Sequence, residues 1–460
     1  MIRCYSPVDG CLYAERPLES EAGIRAALDL ARAGQAEWAS ASVAERGVVC
    51  LRIVEEMLAM TSEIVPELAW QMGRPVRYGA GELRGFEERA RYMIGVAEEA
   101  LQPFVPEAKD GFTRYVRRAP LGIVLVIAPW NYPYLTAVNS VIPALMAGNA
   151  VLLKHASQTL LVGERFQMAC DRAGVPAGVF RNLCLSHDQA GSLLSDGLVD
   201  QVNFTGSVGA GRVIEQAAAG SFIGAGLELG GKDPAYVRHD ANLEHAIENL
   251  VDGAFFNSGQ SCCGIERIYV HADRYDAFVE GVVHLASEYV LGDPLEQETT
   301  LGPMVSANAA GFVRGQITAA VAAGAKALVP AASFRADKTD SPYMAPQVLV
   351  GVDHSMAVMT EESFGPVVGI MPVSGDNEAV RLMNDSPFGL TASIWSADAE
   401  AAVAVGDRVQ TGTVFMNRCD YLDPALAWTG VKNTGRGCTL SRFGYDSLTR
   451  PKSYHLKTQI

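Results

Sequence analysis

The segment GIVLVIAPWNYP, residues 122–133, decides the fold. Its first half is a short, continuous apolar run of the kind a strand needs when both faces of a parallel sheet are covered. The run then breaks at Pro129-Trp130-Asn131 and leads into a helical pattern. Working outward, AVLLK (150–154), VNFTG (202–206) and PAYV (234–237) repeat the motif of short apolar run, break and helix-length spacer. That alternation predicts an α/β protein with mainly parallel sheets. A second series lies beyond Asn257, with RIYVHA (267–272), PVVGIMPV (366–373) and ASIWS (392–396) as strands and 274–289 and 307–323 as helices. Two α/β domains are therefore expected.

The first hundred residues read as helical: Ile24, Ala27, Leu28 and Ala31 fall on one helical face, a periodic run covers 44–68, and Gly73 and Pro75 punctuate its end. FTRYVRRA (112–119) and SYHLKT (453–458) look like isolated half-polar strands that could pair with each other or with another subunit.

Composition narrows the class. A chain of 460 residues with 49% hydrophobic and 19% charged residues is a multi-domain globular protein with a large core. Its 37 basic against 52 acidic residues give a net charge of −15, which disfavours nucleic acid and anionic lipid. No apolar stretch approaches the roughly 18 residues of a membrane span, and the N-terminus carries no signal-like pattern. Nine irregularly spaced cysteines, without a CxxC pair, argue against a disulfide framework or a zinc knuckle and for a reducing cytoplasm.

Several segments could carry chemistry. In FFNSGQSCCG (255–264) a thiol sits at a Gly-flanked turn, where backbone N–H groups can stabilise a thiolate and an oxyanion. A buried, inert cysteine is the plainer alternative. Asn131 follows a parallel strand at its carboxyl end, where open α/β sheets bind ligands; its amide is either an oxyanion donor or a helix cap. Gly206 and Ser207 open a helix after a strand, a natural phosphate site or merely a tight turn. Lys154 ends a strand, either to meet a ribose or as a solvated lysine. Glu228 in LELGGKDP and Glu362 in EESFGPVV stand among apolar residues, where a carboxylate becomes a competent general base; the alternative is a strand-end surface residue.

Taken in order, PWNYP, FTGS, ELGGKDP, NSGQSCC and EESFGP resemble the motifs of the aldehyde dehydrogenase superfamily, with similar separations over nearly the whole chain. The resemblance implies two Rossmann-like α/β domains and a small bridging sheet: residues 1–111 and 120–230 bind a nucleotide, 231–440 form the catalytic domain, and 112–119 with 441–460 form an oligomerisation segment. It implies that Cys262 is the nucleophile, Asn131 the oxyanion donor and Glu228 the general base. Glu362 would meet the nicotinamide ribose, with Phe364 and Trp130 beside that end of the cofactor. Gly206 and Ser207 would meet the pyrophosphate and Lys154 the adenosine ribose. Ser157 stands where similar NAD-preferring members often carry a glutamate, so NAD and NADP are both admissible.

The implied substrate tunnel is lined by Tyr132, Thr136, Asn139, Phe256 and the stretch 420–428, with no arginine obviously awaiting a carboxylate. Ala427, Trp428, Thr429 and Gly430 replace the family's usual Pro-Phe-Gly-Gly, so substrate contacts there do not transfer. The resulting expectation is NAD(P)-dependent oxidation of an aldehyde, with a semialdehyde such as succinate semialdehyde first, by a homodimer or homotetramer with no metal. The rivals are a coenzyme A-acylating dehydrogenase, a nicotinamide-independent cysteine hydrolase and a non-catalytic protein on the same fold.

Overall fold

The computed structural model describes residues 1–459; Ile460, the last residue of the expected bridging segment, lies outside them. Two large sheets form its frame. The first has six strands in the spatial order Gly435–Arg436, Gly224–Glu228, Gln201–Thr205, Ile123–Ile127, Ala150–Lys154 and Phe180–Asn182, all parallel except the first. The strand order reverses between Ile123–Ile127 and Gln201–Thr205, and this switch point places Asn131 and Gly206 on either side of one crevice.

The apolar run that opens this sheet is fully buried because both faces are covered. Val124 and Val126 pack with the helices Val43–Ala59, Val76–Ala100, Pro133–Met146 and Leu160–Ala173, while Ile123, Leu125 and Ile127 face the helices Glu21–Trp38 and His187–Ser195. Alternate residues therefore serve alternate cores.

The second sheet has seven strands, ordered Lys326–Ala327, Gln347–Val350, Val367–Val373, Ile265–His271, Asp233–Val237, Thr391–Trp395 and Thr413–Met416, with only Lys326–Ala327 antiparallel. The three strands expected here are present, and the expected helices are Tyr275–Ser287 and Ala307–Ala322.

Three local features differ from the sequence reading. Residues 2–16 form a hairpin, Ile2–Tyr5 with Leu12–Arg16, not helix. The periodic run 44–68 is two helices, Val43–Ala59 and Thr61–Met72, broken at Met60; the first opens on a Ser42–Glu45 capping box. Gly73, at φ 82°, ends the second in the left-handed region that glycine adopts without penalty. The second series also ends before residue 440: Gly435–Arg436 crosses back to the first sheet, and Trp428 and Leu440 join its core.

The two end strands pair with each other. Phe112–Pro120 runs antiparallel to Thr449–Lys457 from Phe112 opposite Lys457 to Pro120 opposite Thr449, with Tyr115 stacked on Tyr454 at 4.6 Å. Among the described residues, no helix is long and apolar enough to cross a membrane.

Candidate active site

Cys262 lies on a turn that the chain holds in a sparsely populated conformation. Asn257 and Ser258 have φ of 55° and 58°, a strained arrangement held by tertiary contacts. Ser258 Oγ donates to Gly302 O at 2.8 Å, and Gln260 Oε1 accepts from Val305 N–H at 2.7 Å. Asn257 Nδ2 donates to both Asn131 O and Gln260 O at 3.2 Å, tying the cysteine turn to the end of the first sheet. The double glycine of LELGGKDP is required by close approach: a Cβ at Gly231 would lie 2.1 Å from Cys262 O, and one at Gly230 would lie 2.3 Å from the Glu362 carboxylate.

Asn131 is buried and does not cap the helix Pro133–Met146; its Nδ2 donates to Gln260 O at 3.1 Å. The cap comes from Glu82, whose Oε1 accepts from the N–H groups of Tyr134 (2.9 Å) and Leu135 (3.1 Å). Glu82 is paired with buried Arg74, and Arg74 Nη2 donates to Asn131 O at 2.6 Å. Arg74, Glu82 and Asn257 thus position Asn131, a role the sequence reading missed: Gly73-Arg74-Pro75 registered only as a helix stop.

A cavity of about 440 Å³ brings together Cys262, Glu228, Tyr132, Thr136, Asn139 and Phe256. Asp420, Tyr421, Leu422 and Trp428 supply its far wall. Asn131 is not in this lining and is joined to the cysteine turn through Gln260 O. The sequence reading saw no arginine obviously awaiting a carboxylate; Arg74, Arg84 and Arg89 line the cavity, carried there by the helix Val76–Ala100 and the turn before it. This long helix was read only as part of a helical region, so its inward face could not be assigned. No histidine lines the cavity.

Glu228 ends its strand half-buried, and its two oxygens accept from Thr439 Oγ1 at 2.6 Å and Thr205 Oγ1 at 3.2 Å. Burial raises its pKa against the lowering effect of those hydroxyls. Cys263, the neighbour of Cys262, is buried and donates to Asp420 Oδ1. Burial raises the Asp420 carboxyl to about 6.

The residues expected to hold a dinucleotide lie outside this cavity: Trp130, Lys154, Ser157, Gly206 and Ser207 at the carboxyl ends of first-sheet strands, and Glu362 and Phe364 on the loop before Val367–Val373 of the second sheet. Lys154 is buried rather than solvated, and its ammonium has no acceptor among the described residues. Ser157 opens the next turn and is exposed. Ser207 caps the helix Val208–Ala218, accepting from Ala210 N–H at 3.3 Å, and Gly206 N–H bonds Glu228 O. Glu362 accepts from Gly231 N–H at 2.9 Å and is pushed up to about 7, by burial first and then by Glu266. Phe364, at φ 52°, meets Trp130 edge to face at 5.7 Å. The loop carrying Glu362 and Phe364 is fixed by Glu266, which accepts from Ser363 and Phe364 N–H and pairs with buried Lys232.

Residues 1–454 match the model of the aldehyde dehydrogenase family, to which the chain belongs. It is 33% identical over 457 residues to the 3,6-anhydro-alpha-L-galactose dehydrogenase of Streptomyces coelicolor, covering 99% of this chain and 93% of that one. It is 31% identical over 441 residues to the succinate semialdehyde dehydrogenase [NAD(P)+] Sad of Escherichia coli, covering 95% and 94%. The crystal structure of succinic semialdehyde dehydrogenase from Streptococcus pyogenes with NADP+ superposes with a TM-score of 0.94 at 28% identity, covering 99% of this chain and 100% of that one. The protein is an aldehyde dehydrogenase of mixed α/β fold.

Proposed function

We propose that the protein oxidises an aldehyde to its carboxylic acid with NAD or NADP, through a covalent intermediate on Cys262. The carrying observation is the convergence of Cys262 and Glu228 on one cavity beside the crevice of the first sheet. The crevice fits a dinucleotide: Lys154 offers a buried ammonium without a protein acceptor, Ser207 opens a helix N-terminus suited to phosphate, and Glu362 offers a carboxylate for ribose hydroxyls.

Cys262, as thiolate, attacks the aldehyde carbon and forms a thiohemiacetal. The developing oxyanion takes the Cys262 backbone N–H and the second N–H of Asn131 Nδ2, whose first is given to Gln260 O. A nicotinamide dinucleotide held by Lys154, Ser207 and Glu362 would supply the hydride acceptor that side chains lack, so that Cys262 would carry a thioester. Glu228 then takes a proton from water, which attacks the thioester and releases the acid and the thiol. A water-activating carboxylate in the cavity supports hydrolysis over transfer to coenzyme A, and the lack of a lining histidine argues against a cysteine hydrolase.

Ser157 leaves the ribose end without a carboxylate, which favours acceptance of both cofactors. The names of two relatives support a semialdehyde as substrate. Nine free cysteines fit a reducing cytoplasm, and the exposed end strands support a homodimer or homotetramer. The test is a screen of aldehydes with each cofactor, scored by reduced nicotinamide at 340 nm. Aldehyde-dependent reduction that disappears in Cys262→Ala supports the reading, and no reduction with any aldehyde overturns it.

A further inference from the structure

Arg89 is a buried charge without a direct ion-pair partner. The residue is 8% exposed, and no carboxylate among the described residues lies within 4.0 Å of its guanidinium, since neighbouring Glu82 is committed to Arg74. Its Nη1 donates to Leu135 O at 2.7 Å and lies 3.4 Å from Asn139 Oδ1, which aims the plane of the guanidinium; Nε and Nη2 have no protein acceptor. Asn139, 2% exposed, is an independent pointer: turned by Arg89, its amide leaves Nδ2 buried with no acceptor, and the Tyr132 hydroxyl beside the same cavity is likewise unpartnered. A buried guanidinium and two buried donors thus line the cavity that holds Cys262. Of the carboxylates in the same lining, Glu82 is held by Arg74, Glu228 by Thr205 and Thr439, Asp420 by Ser261 and Cys263, and Glu88 by Tyr421, so none of these is given to Arg89.

We infer that Arg89 is the specificity-determining residue of the tunnel and that it binds a carboxylate at the far end of the aldehyde, with Asn139 Nδ2 as the second donor. This rests on the proposed aldehyde oxidation and adds its substrate class: an aldehyde acid, whose two carboxylate oxygens accept from the free edge of the guanidinium while the carbonyl meets Cys262. The apolar Leu135, Phe256 and Trp428 in the same lining suit the methylene chain between the two ends.

The test compares succinate semialdehyde with butanal, which has the same chain length and no carboxylate. In the wild-type protein the ratio of kcat/KM, acid over neutral, should be well above one. In Arg89→Met the ratio should fall about 100-fold, mainly through KM for the semialdehyde, and Arg89→Lys should recover part of it. An unchanged ratio, or a loss shared equally by both aldehydes, overturns the assignment. A second measurement needs no variant and no turnover: succinate should slow alkylation of Cys262 by iodoacetamide in the wild-type protein, and its neutral counterpart succinamide should not. Equal protection by the two overturns the assignment even if Arg89→Met fails to fold. Absence of turnover with every aldehyde would instead overturn the proposed oxidation, leaving the alkylation result to decide on Arg89.

Discussion

The thiol of Cys263 donates to Asp420 Oδ1 at 2.9 Å, and the same oxygen accepts from Ser261 Oγ at 3.0 Å. This divides two adjacent cysteines by environment. Cys263 is 3% exposed, and its neighbour Cys262 together with burial pushes its thiol well above the ordinary range, so it is a poor nucleophile. Cys262 is half-exposed and faces the cavity with Glu228. Cys262→Ala should therefore abolish aldehyde oxidation while leaving dinucleotide binding, measured by fluorescence titration, intact. Cys263→Ala should keep most of the activity and cost about 1 kcal/mol of stability, because Ser261 still serves Asp420. Activity lost from the Cys263 variant and retained by the Cys262 one would reverse the assignment.

The base is tested by pre-steady-state kinetics. Glu228→Gln keeps the size of the side chain and the contacts with Thr205 and Thr439 but cannot take a proton. A burst of reduced nicotinamide should remain, followed by turnover slowed about 100-fold or more. The pH dependence follows from the raised pKa of Glu228. A protonated carboxyl cannot activate water, so thioester hydrolysis in the wild-type protein should rise with pH through a midpoint above the ordinary glutamate value, and this limb should be missing in the variant. A burst lost together with turnover would place Glu228 at an earlier step.

How much of this was legible in the sequence follows from the range of each interaction. The buried strand Ile123–Ile127 is a local pattern, and it announced both the parallel sheet and the place of Asn131 at its end. The hairpin Ile2–Tyr5 with Leu12–Arg16 was not legible, because its core contact, Cys4 with Leu160, depends on a segment far along the chain. The site shows the same division. Cys262, Glu228 and Glu362 sit in contiguous motifs, whereas Arg74, Glu82 and Arg89 act through contacts with Asn131, Tyr134 and Leu135 some 46 to 57 residues away. On a helix whose face cannot be read from periodicity alone, an arginine looks the same whether it meets water or a substrate tunnel.

The buried pair Arg74–Glu82 supports the site from outside the chemistry. Replacing Glu82 by Ala would leave the Arg74 charge without its partner and the N–H groups of Tyr134 and Leu135 without their acceptor. Loss of one partner of a buried ion pair costs about 3–5 kcal/mol. Glu82→Ala should lower the midpoint of thermal unfolding markedly, and Glu82→Gln, which keeps an acceptor for the two N–H groups, should be milder. Equal midpoints for both variants and the wild-type protein would show that the pair contributes nothing net.

Cofactor choice is tested at Ser157, which is exposed on the turn that follows the strand of Lys154. With no carboxylate there, NADP should bind within about tenfold of NAD, since like-charge repulsion in a partly exposed site is on the order of 1–2 kcal/mol. Ser157→Glu should weaken NADP selectively, read as the ratio of the two dissociation constants. Equal weakening of both would mean that residue 157 does not face the ribose.

The last prediction concerns assembly. The pairing of Phe112–Pro120 with Thr449–Lys457 makes a two-stranded ribbon nine residues long, and most of Thr449–Lys457 is exposed. Such a ribbon is marginal by itself, and its free edges invite pairing. The stacked pairs Tyr115–Tyr454 on one face and Phe112–His455 on the other give it aromatic surface that another subunit could cover. Closed symmetry through such a face yields a dimer, or a dimer of dimers. Removing residues 451–460 deletes most of one strand and leaves Phe112–Pro120 unpaired along that length, so light scattering should find a smaller species or aggregates, with activity falling through loss of assembly. Native mass and full solubility in the truncated protein would show that the ribbon is not the interface.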